Sequence, residues 1–411
     1  MSIIGNIQAK RYLKKMEVFL SMITIQNPEI IKNGNKSRLV AKVDIDDVQE
    51  ILWYEVDREY ERYLCYERSD AILVAVLHYA FRKGHDITCI APVSGELFYN
   101  LTEYLIPTLC KTAPTFHHPQ IIAKIASEYL ENEGAVGTGI SCGVDSFHAI
   151  TRHWQPQDNK KPKLTHVQIF DVGTFNLSSP HIYRDYDVLL LKKETYRRAR
   201  EVSFHLNLPL IEAKSNILGT FTVGNHWTFA TTYAILCMQK LWKTYLFASS
   251  YPYSRFSLEN HAENDSSYYD LLSMNYFSTS RLRIYSEGGE VDRVEKTLRI
   301  VDFPLAQKYL LVCWMTPYNC GVCGKCRRTM LTLDMFDKLE NFKEIFPVDY
   351  YKNNLNSYFD WLGKALFKGE LFAEDIYTYM TKRKYKHIGK IEKIVEELKK
   401  IESGGRKNVE G

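Results

Sequence analysis

Gly139-Ile140-Ser141-Cys142-Gly143-Val144-Asp145-Ser146, followed at once by Phe147-His148-Ala149-Ile150, is the stretch whose reading decides the fold. An apolar strand over 135–140 runs into a turn of small residues, which runs into a helix over 147–154. Backbone N–H groups in the first turn of a helix have no intrahelical partner, and the macrodipole favours an anion there. Ser141 and Ser146 add hydroxyl donors, Gly143 lets a phosphate approach the backbone, and Asp145 can hold Mg²⁺ or orient the loop. The turn lies at the carboxyl end of a strand, where open α/β sheets bind ligands.

Downstream, strand and helix alternate. Strands are expected over 165–170, ending at Asp171, and over 188–191, 210–213 and 245–249. Helices are expected over 194–206, with Tyr196, Ala199 and Leu206 on one face, and over 226–243, with Ala230, Tyr233, Cys237 and Leu241 at helical spacing. This β-α-β-α order implies a parallel sheet with helices on its faces and right-handed crossovers.

Upstream, the pattern is α+β. Ala41, Val43 and Ile45 alternate with polar residues as a half-buried strand, which residues 51–56 can pair across the turn at Asp46 and Asp47. Ser69 or Asp70 can cap a helix over 71–81, with Gly84 just past its end. A strand over 87–91 and a helix introduced by Pro92 and Ser94 follow; after the break at 112–120, a helix is expected over 121–130. At the other end, Ile391, Ile394, Leu398 and Ile401 predict a last amphipathic helix, with disorder from Ser403 to Gly411.

The chain has 411 residues, 45% hydrophobic and 25% charged, ordinary values for a globular protein of two or three domains. A net charge of +4 neither demands nor excludes a nucleic-acid partner. Met1 to Ala9 does not read as a signal peptide, and no apolar run reaches membrane-spanning length, so a cytoplasmic location is expected. Of nine cysteines, four follow the spacing C-x6-C-x2-C-x2-C: Cys313, Cys320, Cys323 and Cys326. In a cytosolic chain such a cluster points to metal rather than disulfides. Four thiolates can complete a tetrahedral shell at about 2.3 Å per bond. Zn²⁺ is favoured, with an iron–sulfur cluster as the alternative. Gly321 and Gly324 allow the tight turns, and Lys325, Arg327 and Arg328 offset the thiolate charge.

Ser141-Cys142-Gly143-Val144-Asp145-Ser146 resembles the pyrophosphate loop, Ser-Gly-Gly-x-Asp-Ser, of the PP-loop ATP pyrophosphatases, with Cys142 in place of the first Gly. That superfamily includes GMP synthetase, argininosuccinate synthetase, tRNA thiolases and 7-cyano-7-deazaguanine synthase. Cys142 is either a small residue tolerated beside phosphate or a helix-terminal thiol of lowered pKa. The cysteine spacing is similar to the zinc site of 7-cyano-7-deazaguanine synthase: a lone Cys, then Cys-Gly-x-Cys-x-x-Cys, then an Arg, a place matched here by Arg327 and Arg328. Three segments between the motifs also resemble that family in the right order: Val223-Gly224-Asn225-His226, where the family has Gly-Arg-Asn; Asp265 to Asp270; and Val291 to Lys296. The resemblance covers about residues 135–330 and leaves the N-terminal part and residues 338–411 unmatched.

The resemblance implies a Rossmann-like parallel sheet of the HUP type, a zinc-bound loop region, an N-terminal α+β domain and a C-terminal helical tail. The expected domains are 1–115, 116–255 (nucleotide binding), 256–337 (substrate and zinc) and 338–411. It implies a C–N ligase that uses ATP and Mg²⁺. A substrate oxygen attacks the α-phosphorus, pyrophosphate leaves, and a nitrogen nucleophile displaces AMP, as in amide or nitrile formation on a carboxylated 7-deazapurine. Asp145, Ser146 and Lys296 would be catalytic; Ser141, Cys142, Gly143, Val144, Asp171 and Asn225 would join Asp145 and Ser146 around the nucleotide, with Asp171 near the adenosine or simply a turn residue. Arg327 or Arg328 would balance developing charge. Thiolation or amidation of another acceptor (tRNA, a peptide or a small metabolite) and a non-catalytic nucleotide-binding zinc protein are the alternatives. The partner is then a small molecule or modified base, with partner proteins docking on the N-terminal domain; nucleic acid is not required and a membrane is not expected.

Overall fold

The computed structural model describes residues 21–172, 188–218, 221, 226–259 and 261–406. In its first part the strands are β1 (Met22–Ile25), β2 (Glu29–Asn33), β3 (Lys36–Ile45), β4 (Val48–Asp57), β5 (Asp86–Val93) and β6 (Ile121–Ile125). Then come β7 (Ala135–Gly139), β8 (His166–Asp171), β9 (Leu210–Ser215), β10 (Trp242–Ala248) and β11 (Arg283–Glu287). Among the described residues they form one mixed eleven-stranded sheet, in the order β11-β10-β7-β8-β9-β4-β3-β1-β5-β6, with β2 beside β3. The chain is therefore α/β.

The alternation read in the N-terminal part is a hairpin. Leu39, Ala41 and Val43 of β3 and Leu52, Tyr54 and Val56 of β4 are buried on one face, in antiparallel register with Ala41 opposite Leu52. Helix α1 (Asp70–Lys83) is apolar on nearly every side and ends at Gly84, whose φ of 75° supplies the left-handed closing turn. β4 also pairs antiparallel with β9 at Tyr54–Ser215 and Glu55–Lys214, so the two halves of the chain share one sheet.

From β7 to β11 the five strands are all parallel, and their spatial order is third, second, first, fourth, fifth. The strand order reverses between β7 and β10, which makes that crevice the topological switch point of a doubly wound sheet. Parallel strands are covered on both faces. Here alternate residues serve two cores: Tyr245 points to one, shared with α1 and α4 (Trp227–Cys237), and Leu246 to the other. The second core holds Phe147 of α2 (Val144–His153), Ala199 of α3 (Val188–Leu206), Ile300 of α5 (Arg293–Ile300) and the C-terminal helices. These last are α6 (Gly324–Met335), α7 (Leu355–Phe367), α8 (Leu371–Lys382) and α9 (Ile388–Arg406).

Three expectations are corrected. Residues 121–125 form β6, not a helix: its β-branched residues complete a parallel ladder with β5, Ile87 opposite Ile121. Residues 188–191 form the first turn of α3, where Leu191 and Thr195 share a buried face four residues apart. The helix expected over 226–243 ends at Cys237, because Trp242 is already in the sheet. Trp242 packs over Gly137, where an added Cβ would stand 2.6 Å from the indole. The terminal helix forms as expected, with Ile391 and Ile394 in the core and Ile401 72% exposed; it continues to Arg406, and 407–411 lie outside the described residues. Among the described residues no helix is long and apolar enough to cross a membrane.

Candidate functional site: an anion cleft beside a cysteine cluster

β7 ends at Gly139, and the turn to α2 occupies the switch point. Cys142 sits at φ 57°, the left-handed region where Gly carries no steric cost. Its side chain is fully buried and its carbonyl accepts the Leu311 N–H at 2.8 Å. Burial pushes the Cys142 thiol up to about 12. The structure thus favours a small packed residue over a reactive thiol. Gly143 is the N-cap of α2 and offers no side chain to cap it. Ser146 Oγ donates to the Gly143 carbonyl at 3.0 Å, and the Gly143 N–H donates to Ser141 Oγ at 3.3 Å. The hydroxyls hold the turn, and the first-turn N–H groups of α2 meet a cleft of about 490 Å³ lined by Ser141, Gly143, Val144 and Asp145. That volume is in the range of small-molecule sites.

Three cations, Arg293, Lys325 and Arg328, and two carboxylates, Asp145 and Asp265, line this cleft. Asp145 takes Arg293 Nη1 at 2.8 Å on one oxygen and Lys296 Nζ at 3.2 Å on the other. Burial alone would raise its carboxyl, but the charges of Arg293, Lys296 and Arg328 outweigh it and hold the carboxyl below the usual range. Lys296 is 1% exposed and also donates to the Ser249 carbonyl at 2.7 Å. Behind it, Asp270 accepts from Ser249 Oγ at 2.8 Å and Ser286 Oγ at 2.7 Å, and burial pushes its carboxyl up to about 6. Arg293, Lys325 and Arg328 line the cleft itself. Loss of solvent and the neighbouring Arg293 both disfavour charge on Arg328. A guanidinium does not shed its proton to escape this, so an anion is what relieves it.

The four clustered cysteines converge, with every pair of Sγ atoms within 4.8 Å. Cys313 and Cys323 are 3.9 Å apart, and Cys320 and Cys326 4.0 Å. A tetrahedron with bonds of about 2.3 Å has edges of about 3.8 Å, whereas a disulfide bond is about 2.05 Å. The cluster can therefore hold a metal such as zinc. Backbone N–H groups of Met315, Cys323 and Cys326 each donate to a ligand sulfur at 3.4 Å. Gly321 has φ 77°, and a Cβ there would stand 2.6 Å from Pro347. Asn319 clamps the loop: its Oδ1 accepts from Val312 N–H at 2.9 Å and Cys313 N–H at 3.3 Å, and its Nδ2 donates to the Leu310 and Ile345 carbonyls at 2.9 and 3.1 Å. Because Leu311 bonds Cys142 and Cys323 caps α6, the cluster supports both the turn between β7 and α2 and the helix that carries Lys325 and Arg328.

Of the residues expected at a site, Ser141, Cys142, Gly143, Val144, Asp145, Ser146 and Lys296 come together at the cleft, with the cysteines beside it. Asp171 ends β8, pairs with Lys192 and is not among the lining residues. Asn225 lies outside the described residues. Arg327 turns away, donating to the Ser357 carbonyl at 3.3 Å, whereas Arg328 faces the cleft. Sequence reasoning missed Arg293, Tyr251, Trp227, Trp314 and Phe372, all lining residues. Arg293 had a signal: it stands three residues before Lys296, on the same face of α5. No protein-family model, curated protein or solved structure matches the chain.

Proposed function

We propose that this cleft binds ATP and transfers its adenylyl group to an acceptor oxygen, releasing pyrophosphate, after which a nitrogen nucleophile displaces AMP. The observation that carries the reading is an uncapped helix N-terminus at the switch point of a parallel sheet, facing a cleft lined by three cations where Asp145 is paired with two basic side chains. The strand order and loop position support assignment of this half to the HUP type and to the PP-loop ATP pyrophosphatases.

On this reading the backbone from Gly143 to Ser146 cradles the leaving pyrophosphate, and Lys296, Arg293 and Arg328 balance the charge that develops on it. Asp145, with both oxygens engaged by cations, orders the loop and holds those cations in place. Mg²⁺ would arrive with the triphosphate and assist pyrophosphate as leaving group. Four thiolates leave zinc no open position, so the metal site is structural.

The test is mass spectrometry of products formed from ATP and Mg²⁺ with a panel of acceptors, including 7-carboxy-7-deazaguanine with ammonia. AMP, pyrophosphate and a mass change matching an amide or nitrile are the expected result. AMP formed only with another acceptor moves the answer to thiolation or amidation of that acceptor. No AMP under any condition makes a non-catalytic nucleotide-binding protein the better reading.

A further inference from the structure

One wall of the cleft comes from the C-terminal helices, outside the segment that carries the sequence resemblance. Phe372, the second residue of α8, lines the cleft. The Arg328 guanidinium lies 4.1 Å from its ring centroid and that of Arg293 5.4 Å. Tyr251 stacks on the same residue at 5.5 Å with planes 13° apart; Tyr268 stacks on Tyr251 at 4.2 Å, and His261 on Tyr268 at 3.6 Å. A column of four rings thus joins the segments after β10 to α8. α8 is tied to the same region by Arg255, which meets Glu374 at 3.0 Å and Asp375 at 3.6 Å.

The two guanidinium groups repel each other, and they are held differently. Arg293 has Asp145 at 2.8 Å and donates to the Ser250 carbonyl at 3.2 Å. Among the described residues, Arg328 has no carboxylate within ion-pair distance; Asp145 attracts it from farther off, and its guanidinium lies over the face of Phe372. An aromatic face attracts a cation without neutralising it, so the guanidinium stays available to an anion. A carboxylate in that place would compete with the ligand.

We infer that Phe372 is a positioning residue of the anion cleft: its ring holds the Arg328 guanidinium beside Arg293 and aimed at the anion, which makes the C-terminal helices part of the ligand site. The inference rests on the anion-binding reading of the cleft and does not need the adenylation chemistry.

The experiment is titration of the full-length, metal-loaded protein with inorganic pyrophosphate over a range of salt concentrations. It compares wild type, Phe372→Leu, which removes the ring, and Phe372→Tyr, which keeps it. Phe372→Leu is expected to weaken pyrophosphate binding about tenfold and to flatten its salt dependence, with Phe372→Tyr within about twofold of wild type. Melting temperature and metal content should be equal in all three, which a merely structural role would not predict. Should Phe372→Leu fail to fold, Arg328→Lys replaces it: the charge is kept, the flat stacking group is lost, and a similar weakening is expected. Wild-type affinity in Phe372→Leu, or in Arg328→Lys where that variant is used, overturns the inference, as does an equal loss in Phe372→Tyr. Wild type that does not bind pyrophosphate overturns the cleft reading and this inference together. Pyrophosphate binding without AMP production from ATP overturns adenylation alone.

Discussion

Replacing Lys296 with Met tests the charge arrangement most directly. Met matches the length of the Lys stem and suits a site that is 1% exposed, so packing is nearly conserved. What is lost is the donor to the Ser249 carbonyl at 2.7 Å and to Asp145 at 3.2 Å. Removing one member of a buried ion pair costs about 3–5 kcal/mol. Arg293 still holds the other oxygen of Asp145, which is 22% exposed, so the lower end applies. The orphaned carbonyl adds about 1 kcal/mol, and relief from burying an ammonium offsets a similar amount. The expected loss is about 3 kcal/mol, a fall of roughly 3–4 °C in melting temperature for a chain of this size. AMP formation should fall about 100-fold or more if Lys296 balances charge on the leaving group. The assay is thermal and denaturant unfolding of Lys296→Met, Asp145→Asn and the double variant, with AMP quantified in parallel. The double variant should be less destabilised than the sum of the singles by about 1–3 kcal/mol. Additive effects, or a melting temperature within about 2 °C of wild type, would refute the reasoning.

Elemental analysis should find about one zinc per chain, and stripping it should lower both thermal stability and pyrophosphate affinity, because the cluster supports α6 and the turn between β7 and α2; a brown protein containing iron would replace zinc with an iron–sulfur cluster. His78 and His226 stack at 3.3 Å in the core, and burial pushes them down to about 2 and about 4. Their folded pKa values lie below the unfolded value, so the unfolded chain takes up protons first. Stability is complete above about pH 6.5 and falls by about 2 kcal/mol per His by pH 5. Denaturant titrations of wild type and His78→Phe should differ in that slope, and equal slopes would count against the assignment. Gly137→Ala would place a Cβ 2.6 Å from Trp242, and a loss of about 1–3 kcal/mol is expected in the same unfolding assay.

Much of the site was legible because its signals are local. A small-residue turn between strand and helix needs only a dozen neighbouring residues to be recognised, and so does a cysteine cluster with turn glycines. The α3 start and the α4 end were misread because short apolar runs suit helix and strand equally, and packing chooses. β6 was misread for a related reason: its partner β5 stands about thirty residues earlier, and only the ladder between them makes 121–125 a strand.

The sequence by itself determined the alternating α/β order of the second half, the small-residue turn between strand and helix and the cysteine cluster, because each depends on residues close in the chain. Only the tertiary structure decided that β4 joins β9 in a single sheet, and that β10 inserts beside β7 to create the switch point. It alone brought Arg293, Arg328 and Phe372 to a turn nearly 150 or more residues away. Strand order and the meeting of distant side chains follow from burying two core faces at once, and no local pattern encodes that.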